Sequence, residues 1–116
     1  QLEGQRFNEA AATLERLFEA HPDRRAGTSA LLYAEALAGA GRAEARQAFE
    51  TAIASEPTIE ARSRYGLFLL EQGDKSRARS EFEAVMKDVQ RGHHHSRELN
   101  REWIDKVNVA MKTLSA

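Results

Sequence analysis

The sequence contains no cysteine, only two prolines among its 116 residues and no long apolar run. The absence of cysteine excludes disulfides and thiolate chemistry. With 41% hydrophobic and 30% charged residues, the chain has enough apolar side chains for a core and is unlike a disordered segment. No stretch approaches the roughly 18 apolar residues of a membrane-spanning helix, so we expect this fragment to be soluble and without direct membrane contact.

The chain also has no large excess of positive or negative charge, because the formal net charge is −1. Basic residues alternate with glutamates at helical spacing, which is typical of a solvated helix face and gives no stripe for nucleic acid. Enzyme motifs are missing too: there is no Gly-x-Ser-x-Gly elbow and no glycine-rich phosphate loop. We therefore expect no catalytic residues, no cofactor and no nucleic-acid partner.

One stretch of the chain occurs twice. Tyr33, Ala34, Leu37 and Gly41 recur 32 residues later as Tyr65, Gly66, Leu69 and Gly73. Ala45, Phe49 and Ala52 recur as Ala78, Phe82 and Val85 at an offset of 33. Each copy predicts a helix, a turn with a left-handed glycine and a second helix, and the small residues allow the two helices to approach closely.

The repeated pattern resembles the tetratricopeptide repeat (TPR) family in its large-small pair, its turn glycine and its later small and aromatic positions. The resemblance implies an all-α, right-handed superhelix of antiparallel helix pairs, with about six helices, in one TPR-like domain spanning residues 1–116. In this frame residues 1–25 are the second half of a truncated repeat, 26–57 and 58–91 are repeats, and 96–114 is a C-terminal capping helix. Pro57 closes the first full copy.

The apolar period and the capping residues predict six helices and no strand. Asp74 and Ser96 are expected as N-caps, and Thr58 supplies an acceptor at a helix start. The predicted helices are Arg6–Ala20, Thr28–Ala40, Arg42–Ser55, Thr58–Gln72, Asp74–Arg91 and Ser96–Leu114.

The TPR resemblance implies a concave face, lined by the first helix of each pair, that binds a peptide or partner protein. In this register the candidate partner-binding residues are Leu31, Glu35, Glu60, Ser63, Arg64, Leu67, Leu70 and Glu71. Leu31, Glu35 and Glu60 stand where chaperone-binding members hold a carboxylate with Lys and Asn, so no such clamp is expected. We expect instead a basic peptide with apolar anchors. The alternative is that these residues are ordinary solvated surface.

The run His93-His94-His95 is the conspicuous local motif. Imidazoles bind transition metals, but no cysteine and no His-Glu-x-x-His pattern supplies further ligands. We expect a polar connecting loop that binds divalent metal only weakly, and no metal site.

The last predicted helix has an apolar stripe that includes Trp103. We expect it to close the open end of the repeat stack, with Trp103 inserted against Phe82, Val85 or Val89. The alternative is a docking arm that presents Trp103 to a partner. The run Arg91–Ile104 resembles the end of bacterial TPR proteins, some of them membrane-anchored. It implies a bacterial parent fastened to the inner membrane, with this domain in the cytoplasm.

The sequence as a whole predicts a protein–protein interaction scaffold whose partner is a protein or peptide. Two other uses of the same surfaces stay open. One is self-association into a homo-oligomer, and the other is a regulatory or docking domain of a larger enzyme or membrane-anchored protein. Because the chain starts at Gln1 and within a repeat, we expect it to be a fragment of a longer parent.

Overall fold

The computed structural model describes residues 2–92 and 94–115, and the side chains of 3–92 and 97–115 among them. This part of the chain folds into α-helices joined by short turns and contains no strand, which confirms the all-α class. The helices are α1 (Leu2–Ala20), α2 (Gly27–Gly39), α3 (Ala45–Ser55), α4 (Ile59–Glu71), α5 (Lys75–Arg91), α6 (His94–Leu99) and α7 (Arg101–Ser115), with a 3-10 turn at Pro22–Arg24.

The chain divides into two compact units. The N-terminal unit, Gln1–Pro57, holds α1 to α3, and α2 packs against both of its neighbours. The C-terminal unit, Thr58–Ala116, holds α4 to α7, with α7 packed against α4 and α5. Each unit therefore contains one helical hairpin, α2–α3 or α4–α5, and a further helix that covers one side of it.

The two hairpins turn in the same way. Gly41 and Gly73 have φ of 73° and 83°, the left-handed conformation expected of them. One residue after each glycine, the amide of Arg42 donates to the Leu37 carbonyl and the amide of Asp74 to the Leu69 carbonyl, both at 3.0 Å. These bonds satisfy carbonyls that the end of the helix would leave unpaired. The same closing motif thus occurs twice, 32 residues apart.

Small residues let the helices of each hairpin approach closely. Ala34 and Gly66 are buried, as are Phe49 and Phe82 on the second helices. A Cβ atom placed on Gly66 would lie 2.5 Å from the Phe82 ring. The aromatic ring therefore occupies the space that any larger residue at position 66 would need.

The first helices of the two copies start at equivalent positions, Gly27 and Ile59, whereas the second helices do not, and only the second copy has capping side chains. Asp74 is confirmed as an N-cap, since its Oδ1 accepts from the Arg77 amide at 3.2 Å, and α5 begins directly after it. Thr58 caps α4 in the same manner through Oγ1. The predicted start at Arg42 is wrong: α3 begins at Ala45, and no side chain caps it.

The C-terminal region forms two helices instead of the single helix predicted. Helix α6 already begins at His94, so Ser96 is not an N-cap, and the expected loop is wrong for His94 and His95. Asparagine favours turns over helix interiors. Asn100 separates α6 from α7, and its carbonyl accepts the amide of Ile104 at 3.0 Å. His93 and the side chains of the histidine run lie outside the described residues.

Trp103 is not the deeply buried residue of α7. Its side chain is only partly buried, whereas Val107 is completely inaccessible to solvent and Ala110 nearly so. The apolar stripe predicted for this helix does face α4 and α5, but its centre lies one turn further along the helix than Trp103.

The first prediction concerns the contact between Gly66 and Phe82. Gly66→Ala should destabilise the protein, because the fully buried ring cannot move away from the new methyl group. Overpacking of this kind costs about 1–3 kcal/mol, which outweighs a helix-propensity gain of roughly 0.5–1 kcal/mol. Urea unfolding followed by circular dichroism measures the change.

Gly4→Ala is the matched control, since Gly4 also lies in a helix and a Cβ there would meet nothing within 4 Å beyond its chain neighbours and the backbone of its own helix. It should raise the free energy of unfolding by up to roughly 0.5–1 kcal/mol, the helix-propensity gain alone. Adding Phe82→Leu to Gly66→Ala should recover part of the loss. A Gly66→Ala protein as stable as the Gly4→Ala protein would contradict the packing described here.

Candidate functional site

The predicted partner-binding residues fall on α2 and α4. On α2, Leu31 is buried with 9% of its surface exposed, and Glu35 is partly exposed. On α4, Ser63 is completely buried. Leu31 and Ser63 are therefore not available to a partner in this structure.

The remaining predicted residues of α4 form a surface strip. Glu60, Arg64, Leu67 and Glu71 are spaced by three or four residues and so share one helix face. The first three are partly exposed, as is the neighbouring Leu70, and Glu71 is exposed. We call these five residues the α4 strip.

The α4 strip is internally paired at one end. Arg64 Nε lies 2.8 Å from Glu60 Oε2, and the Arg64 guanidinium carbon lies 4.3 Å from the centroid of the Trp103 ring. A cation over an indole is attracted by the negative face of the ring. Arg64 therefore joins α4 to α7.

Helix α7 extends this cluster with residues that were not predicted as part of the site. Lys106 Nζ lies 4.5 Å from the Trp103 ring centroid and 3.1 Å from Glu102 Oε1. Anions and cations thus alternate around the single tryptophan, from Glu60 to Arg64 and from Lys106 to Glu102. The spacing of Glu102, Trp103 and Lys106 on one helix was visible in the sequence, but their approach to Arg64 depends on tertiary packing.

The other end of the α4 strip carries an unbalanced charge. Glu71 has no ion-pair partner within the described residues, and it follows the two partly exposed leucines, Leu67 and Leu70. This end of the strip is apolar and acidic, whereas the Trp103 end is close to neutral.

A second ionic cluster lies between α4 and α5. Glu81 is buried, and its Oε1 and Oε2 lie 3.6 Å from Arg62 Nη1 and 3.7 Å from Arg77 Nε. These distances allow charge attraction but are too long for hydrogen bonds, and Glu81 Oε1 and Arg62 Nε have no hydrogen-bond partner. The cluster fills space between the helices, and its carboxylate is largely inaccessible to solvent.

Among the described side chains, no group of three or more His, Asp or Glu converges in a way that could hold a metal ion. Likewise, none of the helices searched combines the length and apolar content that crossing a bilayer requires.

Comparison with protein-family models, with curated proteins and with solved structures finds no significant match. The TPR resemblance of the sequence therefore stays a prediction.

The contact between Arg64 and Trp103 gives a second prediction. Arg64→Ala should lower the free energy of unfolding by about 1 kcal/mol, the sum of an exposed cation–π contact and a surface ion pair. It should also raise quenching of tryptophan fluorescence by acrylamide, because the guanidinium no longer covers the ring. Trp103 is the only tryptophan, so the signal is unambiguous.

Arg101→Ala is the control for this measurement. Arg101 is exposed on the same helix as Trp103, and its loss removes the same charge without uncovering the ring. Equal quenching in the two variants would show that Arg64 does not shield Trp103.

Proposed function

We propose that this chain is a helical-repeat scaffold that binds a peptide or partner protein, and that its helix pairs stack into a TPR-like right-handed superhelix. The supporting observation is the repetition of one hairpin, with equivalent turn hydrogen bonds after Gly41 and Gly73. Repeats of this kind stack because one hairpin alone cannot bury its apolar faces. Their exposed faces are then available for partners.

The α4 strip is the proposed contact surface. Leu67 and Leu70 are partly exposed beside Glu71, whereas Leu69 on the same helix is completely buried. Apolar residues bordered by charge are typical of surfaces that bind other proteins. The strip runs along a rigid helix, which keeps the entropic cost of binding low.

The charge of the α4 strip indicates which kind of peptide it would bind. Because Glu60 is compensated by Arg64 while Glu71 is uncompensated, the strip favours a peptide that places a Lys or Arg next to a Leu, Ile or Phe. The apolar side chain would pack on Leu67 and Leu70, and the cation would approach Glu71. This is the basic, apolar-anchored class expected from the sequence.

The same proposal includes a bacterial parent that is anchored to the inner membrane, with this domain in the cytoplasm. This part is supported only by the resemblance of the C-terminal run Arg91–Ile104. Self-association and a docking role within a larger protein compete for the same surfaces. Light scattering on the purified chain separates the first of these from partner binding.

Selection from a library of displayed 12-residue peptides tests the proposed specificity. We expect enrichment of peptides with a basic residue adjacent to a large apolar residue. Glu71→Lys should weaken the selected peptides about fivefold, which corresponds to about 1 kcal/mol for an exposed charge pair.

Glu83→Lys, which makes the same charge change at an exposed position on α5, should leave affinity unchanged. Enrichment of acidic carboxyl-terminal peptides, or equal effects of the two charge reversals, would contradict the assignment of the α4 strip.

A further inference from the structure

An open cleft of about 280 Å³ lies between α2 and α3 in the N-terminal unit. Ala30, Tyr33 and Leu37 of α2 and Ala48 of α3 provide its apolar lining. Its polar lining consists of Arg25, Glu44, Gln47 and Thr51. Arg25 lies two residues before the first residue of α2, so it stands at the end of the cleft where that helix starts. We call this the α2–α3 cleft.

The second hairpin shows how the equivalent space is filled elsewhere in the same chain. At the repeat offsets, Ala30 corresponds to Arg62 and Ala48 to Glu81. Arg62 Nη1 and Glu81 Oε1 lie 3.6 Å apart, and Tyr65 is only 1% exposed. In the first hairpin two alanines replace this ion pair, and the equivalent Tyr33 remains partly exposed. The cleft is thus the same inter-helical position without its two filling side chains.

The aromatic wall of the cleft is held in place. Tyr33 donates a hydrogen bond to Glu15 Oε2 at 2.7 Å, and its ring meets Phe18 edge-on at 5.5 Å between centroids. Burial, followed by the hydrogen bond to Glu15, raises the pKa of Tyr33, so the hydroxyl stays a donor at neutral pH. The wall is therefore preorganised for another ring or apolar side chain.

The carboxylates near the cleft are already paired. Arg42 Nη2 lies 2.7 Å from Glu44 Oε2 and 3.8 Å from Glu15 Oε2. The Arg25 guanidinium, in contrast, lies 5.7 Å from the Phe18 ring centroid and has no carboxylate within ion-pair distance in the described part of the chain. Glu44 also lines the cleft but is held by Arg42, so Arg25 is the lining charge that, among the described residues, has no ion-pair partner and can meet a carboxylate of a ligand.

We propose that the α2–α3 cleft binds a peptide segment in which an aromatic side chain is flanked by a carboxylate. The aromatic ring enters between Ala30 and Ala48 and packs against Tyr33, and the carboxylate pairs with Arg25. This site is separate from the α4 strip, takes a ligand of opposite charge and does not depend on the function proposed for that strip.

Fluorescence anisotropy with the full chain and labelled blocked peptides tests the proposal. Ser-Asp-Trp-Asp-Ser should bind at least about tenfold tighter than Ser-Lys-Trp-Lys-Ser or Ser-Asp-Ala-Asp-Ser, because each comparison removes one of the two contacts. Arg25→Ala should weaken the first peptide about fivefold, which corresponds to the loss of one exposed ion pair. Arg24→Ala, an exposed neighbour that does not line the cleft, should have no effect.

A third variant introduces into the first hairpin the two side chains that fill this position in the second, those of Arg62 and Glu81. Ala30→Arg with Ala48→Glu should abolish binding while circular dichroism remains helical, since this pair is accommodated in the other copy. Should this double variant unfold, Arg25→Ala against Arg24→Ala decides the question. Equal affinities for the three peptides, or equal effects of the two arginine variants, would overturn the proposal. Glu71→Lys should leave this binding intact, which separates the cleft from the α4 strip.

Discussion

The structure of both hairpins depends on a glycine that ends the first helix in the left-handed conformation. At Gly41 and Gly73 a Cβ atom would meet no other side chain, so what selects glycine is the positive φ and not a lack of space. The turn then returns the chain antiparallel to itself. It places Phe82 against Gly66, and the buried Ala34 and Phe49 stand at the equivalent positions of the first hairpin.

Because the two hairpins share this frame, their differences lie in the side chains between the helices. The second copy fills one such position with Arg62 and Glu81, and the first leaves it open between Ala30 and Ala48. A buried ion pair adds little stability when its desolvation is counted, whereas two alanines leave a cavity. Either filling is compatible with the turn, so the same scaffold can present a closed or an open position.

The repeat made much of the fold predictable. A pattern that recurs at offsets of 32 and 33 predicts two equivalent hairpins. The left-handed glycines and the caps at Thr58 and Asp74 are confirmed, and they could be predicted because each depends on nearby residues alone. The predicted helix boundaries that were wrong depend on local turn residues. The Arg42 amide closes the turn after α2, so α3 begins only at Ala45, and Asn100 divides a segment whose apolar period is continuous.

The surface sites were less predictable, because they depend on which helices meet. Arg64 lies on the predicted face of α4, but its contact with Trp103 exists only because α7 packs against α4. Helical period alone placed Trp103 in the core, whereas Val107 occupies that position. The α2–α3 cleft is likewise invisible until Ala30 and Ala48 are set opposite each other.

Amide hydrogen exchange, measured by NMR at Arg42 and Asp74, tests the shared turn most directly. These amides donate to carbonyls five residues earlier, outside the regular helical pattern. The account predicts that both are strongly protected relative to an unstructured chain. Exchange of either amide at the unstructured rate would show that the two hairpins do not close in the same way, and would contradict the repeat on which the account depends.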